Sequence, residues 1–234
     1  MTLILILVMG MGSVSSAEES QGSWVQVNLG VNGMAMDDIN ETDFRWHEDS
    51  PDGFDLDDIS SGMALSFGFG YDMSPLVGYG LFWEHQYAST NGMDQEMEAD
   101  VNLAADIFTG RLNLNFIRKE NWRLGVAGSM GFLVAGGDVN KTTAGASYGT
   151  SELSGDCMTF EGMACLEIVT GGGTIVQITG GWRLAEVESF KNGKSPVLKP
   201  DGEDMSLDYS GFTARVGMKL RFGDMGDQTA PDIN

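Results

Sequence analysis

The sequence predicts an all-β protein: one eight-stranded, antiparallel, up-and-down transmembrane β-barrel. Three observations point there. Eight stretches alternate apolar and polar residues with a period of two, the signature of strands. The connections between them alternate long and short, as in a meander whose two ends face different surroundings. Six of the 13 Lys and Arg residues, Arg111, Arg123, Arg183, Arg215, Lys219 and Arg221, fall inside those stretches, while the 34 acidic residues gather in the connections, and the net charge is −21.

The first segment, near 24 to 35, sets Val25, Val27, Leu29 and Val31 against Gln26, Asn28, Gly30 and Asn32. The second, 60 to 72, sets Met63, Leu65, Phe67, Phe69 and Tyr71 against Ala64, Ser66, Gly68, Gly70 and Asp72. In the third, 76 to 87, Val77, Tyr79, Leu81 and Trp83 oppose Gly78, Gly80, Phe82, Glu84 and Gln86. The fourth ends at Phe116 and opposes Phe108, Leu112 and Leu114 to Thr109, Arg111, Asn113 and Asn115. Its start, ADVNLAAD, changes apolar parity, which predicts a bulge or a rim outside the regular region. The fifth, 122 to 135, opposes Trp122, Leu124, Val126, Met130, Phe132 and Val134 to Arg123, Gly125, Ala127, Ser129 and Gly131. The sixth, 157 to 169, opposes Met158, Phe160, Ala164, Leu166 and Ile168 to Thr159, Glu161, Met163, Cys165 and Glu167. The seventh, 174 to 186, opposes Val176, Ile178, Trp182 and Leu184 to Gln177, Thr179, Gly181 and Arg183. The eighth, YSGFTARVGMKLRFG, opposes Phe212, Ala214, Val216, Met218, Leu220 and Phe222 to Thr213, Arg215, Gly217, Lys219 and Arg221.

Eight such strands could close with the apolar face inward, as a soluble lipocalin-like barrel, or outward, on lipid. GSW, Gly22 to Trp24, resembles the Gly-x-Trp start of lipocalins. Composition favours lipid. The polar face is rich in Gly, Ser, Thr, Asn and Gln, and glycine weakens a strand with no return on a wet surface. In a narrow lumen it leaves room for long side chains. That face also carries both signs, Asp72, Glu84, Glu161 and Glu167 against Arg111, Arg123, Arg183, Arg215, Lys219 and Arg221, so the charges can neutralise one another. The apolar face carries Tyr71, Trp83, Tyr87, Trp122 and Phe222 towards segment ends, where interfacial girdles sit. A Lys or Arg on lipid would cost about 2–4 kcal/mol at mid-bilayer. The basic face is therefore the lumen, and Glu84, Arg111, Arg123, Glu161, Glu167, Arg183, Arg215, Lys219 and Arg221 are expected to form an ion-pair network there. Trp24 falls on the polar parity, against the rule.

With this pattern the chain resembles the small eight-stranded outer-membrane barrels of the OmpA/OmpX type, over nearly its whole mature length. The most specific part is the last strand: Phe212, Val216, Met218, Leu220 and the terminal Phe222 resemble the aromatic-ended signal such barrels present to their insertion machinery. The resemblance implies residence in the bacterial outer membrane, with lipid and lipopolysaccharide as surroundings. GDMGDQTAPDIN, which follows Phe222, departs from the simplest members. The expected organisation is a signal peptide over 1–17, a barrel over 18–222 and a short acidic tail over 223–234. The leader is inferred from an apolar run, Leu3 to Met11, too short to span a bilayer and followed by Ser15, Ser16 and Ala17.

Candidate chemistry is sparse, and no cofactor is expected. Nucleic acid is excluded as a partner by charge, since phosphates would be repelled. Cys157 and Cys165 lie on one strand about 26 Å apart, while a disulfide needs Cα atoms within about 7 Å, so two free thiols are expected. Ten acidic residues lie between Asp37 and Asp58; they miss the EF-hand spacing and imply at most weak divalent-cation binding, otherwise a solvated external loop. EHQYAST places His85, Tyr87 and Ser89 on one face, with Glu96 and Glu98 nearby, and is faintly similar to outer-membrane lipid A deacylases. Their His and Ser stand two residues apart; here four residues, about 13 Å, separate them. The expected role is non-enzymatic: a structural or surface-interaction protein working through long acidic external loops. A narrow channel or small-ligand-binding barrel is the alternative, ahead of a lipid A-modifying enzyme or a soluble binder.

Overall fold

The computed structural model describes residues 21–40, 58–94, 97–119, 121–143, 146–171, 173–197 and 202–222. Its strands are β1 (Gly22–Gly33), β2 (Ser61–Asp72), β3 (Val77–Asp94), β4 (Met97–Arg118), β5 (Trp122–Thr143), β6 (Ala146–Gly171), β7 (Thr174–Leu184), four two-residue strands, and β12 (Gly211–Phe222). The short ones are β8 (Glu186–Val187), β9 (Lys191–Asn192), β10 (Ser195–Pro196) and β11 (Leu207–Asp208). Strands β1 to β7 pair each with the next, all antiparallel; β12 pairs with β7 and with β1, which closes an eight-stranded barrel. No helix among the described residues is long and apolar enough to cross a membrane.

Alternation decides which side chains fill the tube. Outward stand Val27, Leu29, Leu65, Phe67, Leu81, Leu112, Leu114, Phe132, Val216 and Leu220, all exposed. Inward and buried stand Gln26, Asn28, Glu84, Arg111, Glu161, Gln177, Arg183, Arg215 and Lys219. Such a surface is insoluble in water and suited to lipid, and in lipid closure also leaves no unpaired strand edge.

Trp24 enters the tube. It is 1% exposed, its ring lies 5.7 Å from that of Phe82, and a β-carbon at Gly70 or Gly80 would collide with it. A β-carbon at Gly68 would likewise strike Phe82 and one at Gly30 would strike Arg215. The inward glycines are thus the space in which large side chains lie.

The strands are unequal. β1, β2 and β12 hold 12 residues each, whereas β4 and β5 hold 22 and β6 holds 26. Ten further residues, tilted as barrel strands are, rise about 25 Å beyond the shorter wall. The stretches expected as long loops after the third and fifth segments are therefore largely strand, as far as Asp94, from Met97, as far as Thr143 and from Ala146. The change of parity at ADVNLAAD is no bulge either. The β4 ladder is unbroken from Met97 to Asn115, and odd residues are the buried set from Val101 to Asn113, with Thr109 half-buried among them; its register shift falls between Asn115 and Ile117. What changes is the filling. Arg111 and Asn113 give way to Ile107, Ala105, Leu103 and Val101, all buried.

This upper filling is an apolar core that also takes in Met34, Met36, Ile59, Ala88, Leu133, Ala135, Leu153, Val187, Phe190, Met205, Leu207 and Tyr209. The last five come from the connection between β7 and β12, which folds over the mouth and is tied there by Phe190 N–H to Met205 C=O and Tyr209 N–H to Ala185 C=O. Burial pushes the Tyr209 hydroxyl up from its ordinary pKa, so it stays neutral.

Candidate functional site: the barrel lumen

The lower lumen is filled by two ionic clusters, each built by strands that sequence holds far apart. Towards the middle of the barrel, β12 supplies Arg215, whose Nε lies 2.7 Å from Glu84 Oε2 on β3 and whose Nη1 lies 2.8 Å from Glu161 Oε1 on β6. Arg183 of β7 reaches the same two carboxylates, at 2.7 Å and 3.7 Å, and donates to Gln86 Oε1 at 3.0 Å. Thr213, at 2.7 Å, and Ser129, at 3.4 Å, donate hydroxyl hydrogens to Glu161, and Asn32 donates to Glu84 at 3.1 Å. Both carboxylates are thus ringed by donors, the condition for burying charge without a large desolvation loss.

Nearer the short turns, Lys219 Nζ lies 3.2 Å from Asp72 and 3.4 Å from Glu167. Arg221 reaches Asp72 at 2.6 Å and Arg123 reaches Glu167 at 3.6 Å. An amide chain joins this cluster to the wall opposite. Gln177 donates to Glu167 at 3.2 Å and accepts from Gln26 at 2.6 Å; Gln26 also donates to Asn28 at 2.5 Å, which donates to Ser66 at 2.7 Å. Lys219 further stands 4.8 Å above the Trp24 ring.

Of the nine residues singled out in the sequence, eight are drawn into these pairs. Arg111 is not: its guanidinium stacks on Phe82 at 3.9 Å. Asp72, a lumen-face charge outside the expected network, joins Lys219 to Arg221; the Trp24–Phe82 pair was not foreseen, and its signal was the glycines facing it. Phe212, Val216, Leu220 and Phe222 line the outer face of β12, with Met218 half-buried among them.

His85 meets Asp106 at 3.0 Å, and Asp106 also accepts from the Trp83 indole at 3.0 Å; Tyr87 donates to Asn102 at 2.7 Å. Ser89 pairs across the sheet with Asn102, so His85 has an acid and no serine beside it. Cys157 and Cys165 are free thiols. Of the acidic stretch 37–58, residues 41–57 lie outside the described residues; Asp38 accepts from the Ser206 amide and hydroxyl, both at 2.8 Å. The proposed leader and the tail after Phe222 lie outside them too.

Neither a family model nor a curated relative matches this sequence. Among solved structures, the chain is similar to Ail, the attachment invasion locus protein of Yersinia pestis, with 13% identity, 88% of this chain and 100% of that one covered, and a TM-score of 0.41. It is similar to OprG from Pseudomonas aeruginosa at 10% identity, covering 90% and 100%, with a TM-score of 0.46. It is also similar to AlkL, solved in DMPC lipid bilayers, at 17% identity, covering 92% and 97%, with a TM-score of 0.42. The chain's own geometry carries the conclusion: an even-numbered antiparallel ring, oily outside and ionic within, is a β-barrel of the bacterial outer membrane.

Proposed function

We propose that this is a non-enzymatic surface-interaction protein whose working part is the sheet rising above the membrane. One observation carries the reading. Above the shorter strands, β3 from Ala88 to Asp94 runs on past its ladder with β2, and β6 from Ala146 to Glu152 past its described ladders on the β7 side. A strand that outruns its neighbour can take up another chain as a further strand. The filled lumen supports a scaffold role, since eight strands enclose only what side chains occupy. The lumen network serves to hold the scaffold rigid, and the outer face of β12, ending at Phe222, is the segment read by the insertion machinery. Lipopolysaccharide headgroups, bridged by divalent cations at the acidic connection 37–58, are the expected surroundings of the upper rim.

The test replaces residues 91–100 by an Asn-Gly turn, which leaves every strand pair at membrane depth intact. Cells displaying the full chain should attach to one another or to a host-cell monolayer better than cells displaying the trimmed one. Equal attachment at equal surface levels refutes the reading. Release of acyl chains from lipid A, lost in His85→Ala, would instead make it an enzyme. Steady single-channel conductance in planar bilayers would make it a conduit.

A further inference from the structure

A charge held out of water needs a counter-charge close by, and the lumen is short of them. Among the described residues, five buried cations, Arg111, Arg123, Arg183, Arg215 and Lys219, face four buried carboxylates, Asp72, Glu84, Glu161 and Glu167. Arg221 at the lower rim adds a sixth cation on Asp72. Arg183 and Arg215 share Glu84 and Glu161, while Arg123, Lys219 and Arg221 share Asp72 and Glu167. Every carboxylate is thereby engaged, and Arg111, 6% exposed, has none within 4 Å among the described residues.

Geometry sharpens the deficit. Phe82 covers one face of the Arg111 guanidinium at 3.9 Å, and Arg111 Nε has no protein acceptor. The Trp24 indole, which also packs on Phe82, holds a second buried N–H with no acceptor. Guanidinium and indole N–H groups only donate, so no rearrangement between them can satisfy either. A charged acceptor at the Arg111 guanidinium answers its want of both hydrogen-bond partner and counter-charge.

We propose that Arg111 anchors a small inorganic anion, of the size of chloride, inside the lumen beside Phe82. The anion completes the charge balance of the barrel's filling through charge-assisted hydrogen bonds. It makes the interior anion-selective although the chain as a whole carries −21. The inference is independent of the surface role.

Two measurements test it on the full chain refolded in detergent. Crystals soaked in bromide should show an anomalous peak within hydrogen-bond reach of the Arg111 guanidinium; water there instead, with no bromide, overturns the proposal. Replacing chloride by gluconate at constant ionic strength should lower the thermal unfolding temperature of the wild type and leave that of Arg111→Met unmoved, since loss of the anchor weakens the site by about tenfold or more. An equal chloride dependence in both proteins refutes it. Should Arg111→Met fail to fold, the bromide experiment on the wild type decides alone.

Discussion

Arg215 shows what a single side chain holds in this barrel. It bridges Glu84 and Glu161 at hydrogen-bond distance, with all three groups nearly dry. Arg215→Met leaves Glu84 and Glu161 out of water with Arg183 as their one shared cation, and breaking a buried pair in this way costs about 3–5 kcal/mol. Urea unfolding from lipid vesicles should register that loss. Adding Glu161→Gln alone to the same protein should recover most of it, because Arg183 still pairs with Glu84 at 2.7 Å and no second carboxylate is left wanting a cation. Trp24→Ala should cost about 3–5 kcal/mol, the usual figure for emptying a buried aromatic site, measured the same way. The two residues differ in how plainly the sequence announced them. Arg215 sits in strict alternation with Ala214 and Val216, so its inward direction could be read directly. Trp24 could not be read from polarity, because the lumen selects for fit as well as for charge; only Gly70 and Gly80, two strands' worth of missing side chains, mark its place.

Strand β4 puts the same chemistry under opposite conditions along one ladder. Leu103 is 1% exposed and packs in the upper core, while Leu112 is 46% exposed on the outer face. Leu103→Ala should lower stability by about 2–5 kcal/mol, as for buried leucines in a water-soluble protein. Leu112→Arg should cost about 2–4 kcal/mol in a bilayer, and the penalty should shrink in detergent micelles, where water reaches the head. Comparing unfolding of both variants in vesicles and in micelles checks the pair. Periodicity located β4 because alternation is a backbone property and survives a change of solvent. Its upper half was misjudged because polarity is not: above the membrane the outside is water, so the apolar set moves inside without any shift of register. The same physics turned two expected loops into strand.

At the scale of the molecule, the inside-out distribution predicts behaviour that a soluble barrel cannot imitate. The protein should stay with the outer membrane on fractionation and run faster on a gel unheated than boiled; a freely soluble periplasmic species would sink the assignment. Fold class was legible because eight alternating segments with strictly alternating connections leave few topologies. The proposed role was not, because the free-running ends of β3 and β6 are backbone features with no side-chain signature, and the want of a carboxylate within 4 Å of Arg111 among the described residues appears only when strands distant in sequence are set side by side. In β4 the filling turns from ionic to oily between Arg111 and Ile107, and the coat turns from oily to polar between Phe108 and Asp106. The two transitions fall at one height, so the barrel carries its own waterline. A thicker bilayer would have to thin around it or draw the Asp106–His85 pair into hydrocarbon, which ties this chain to one membrane thickness.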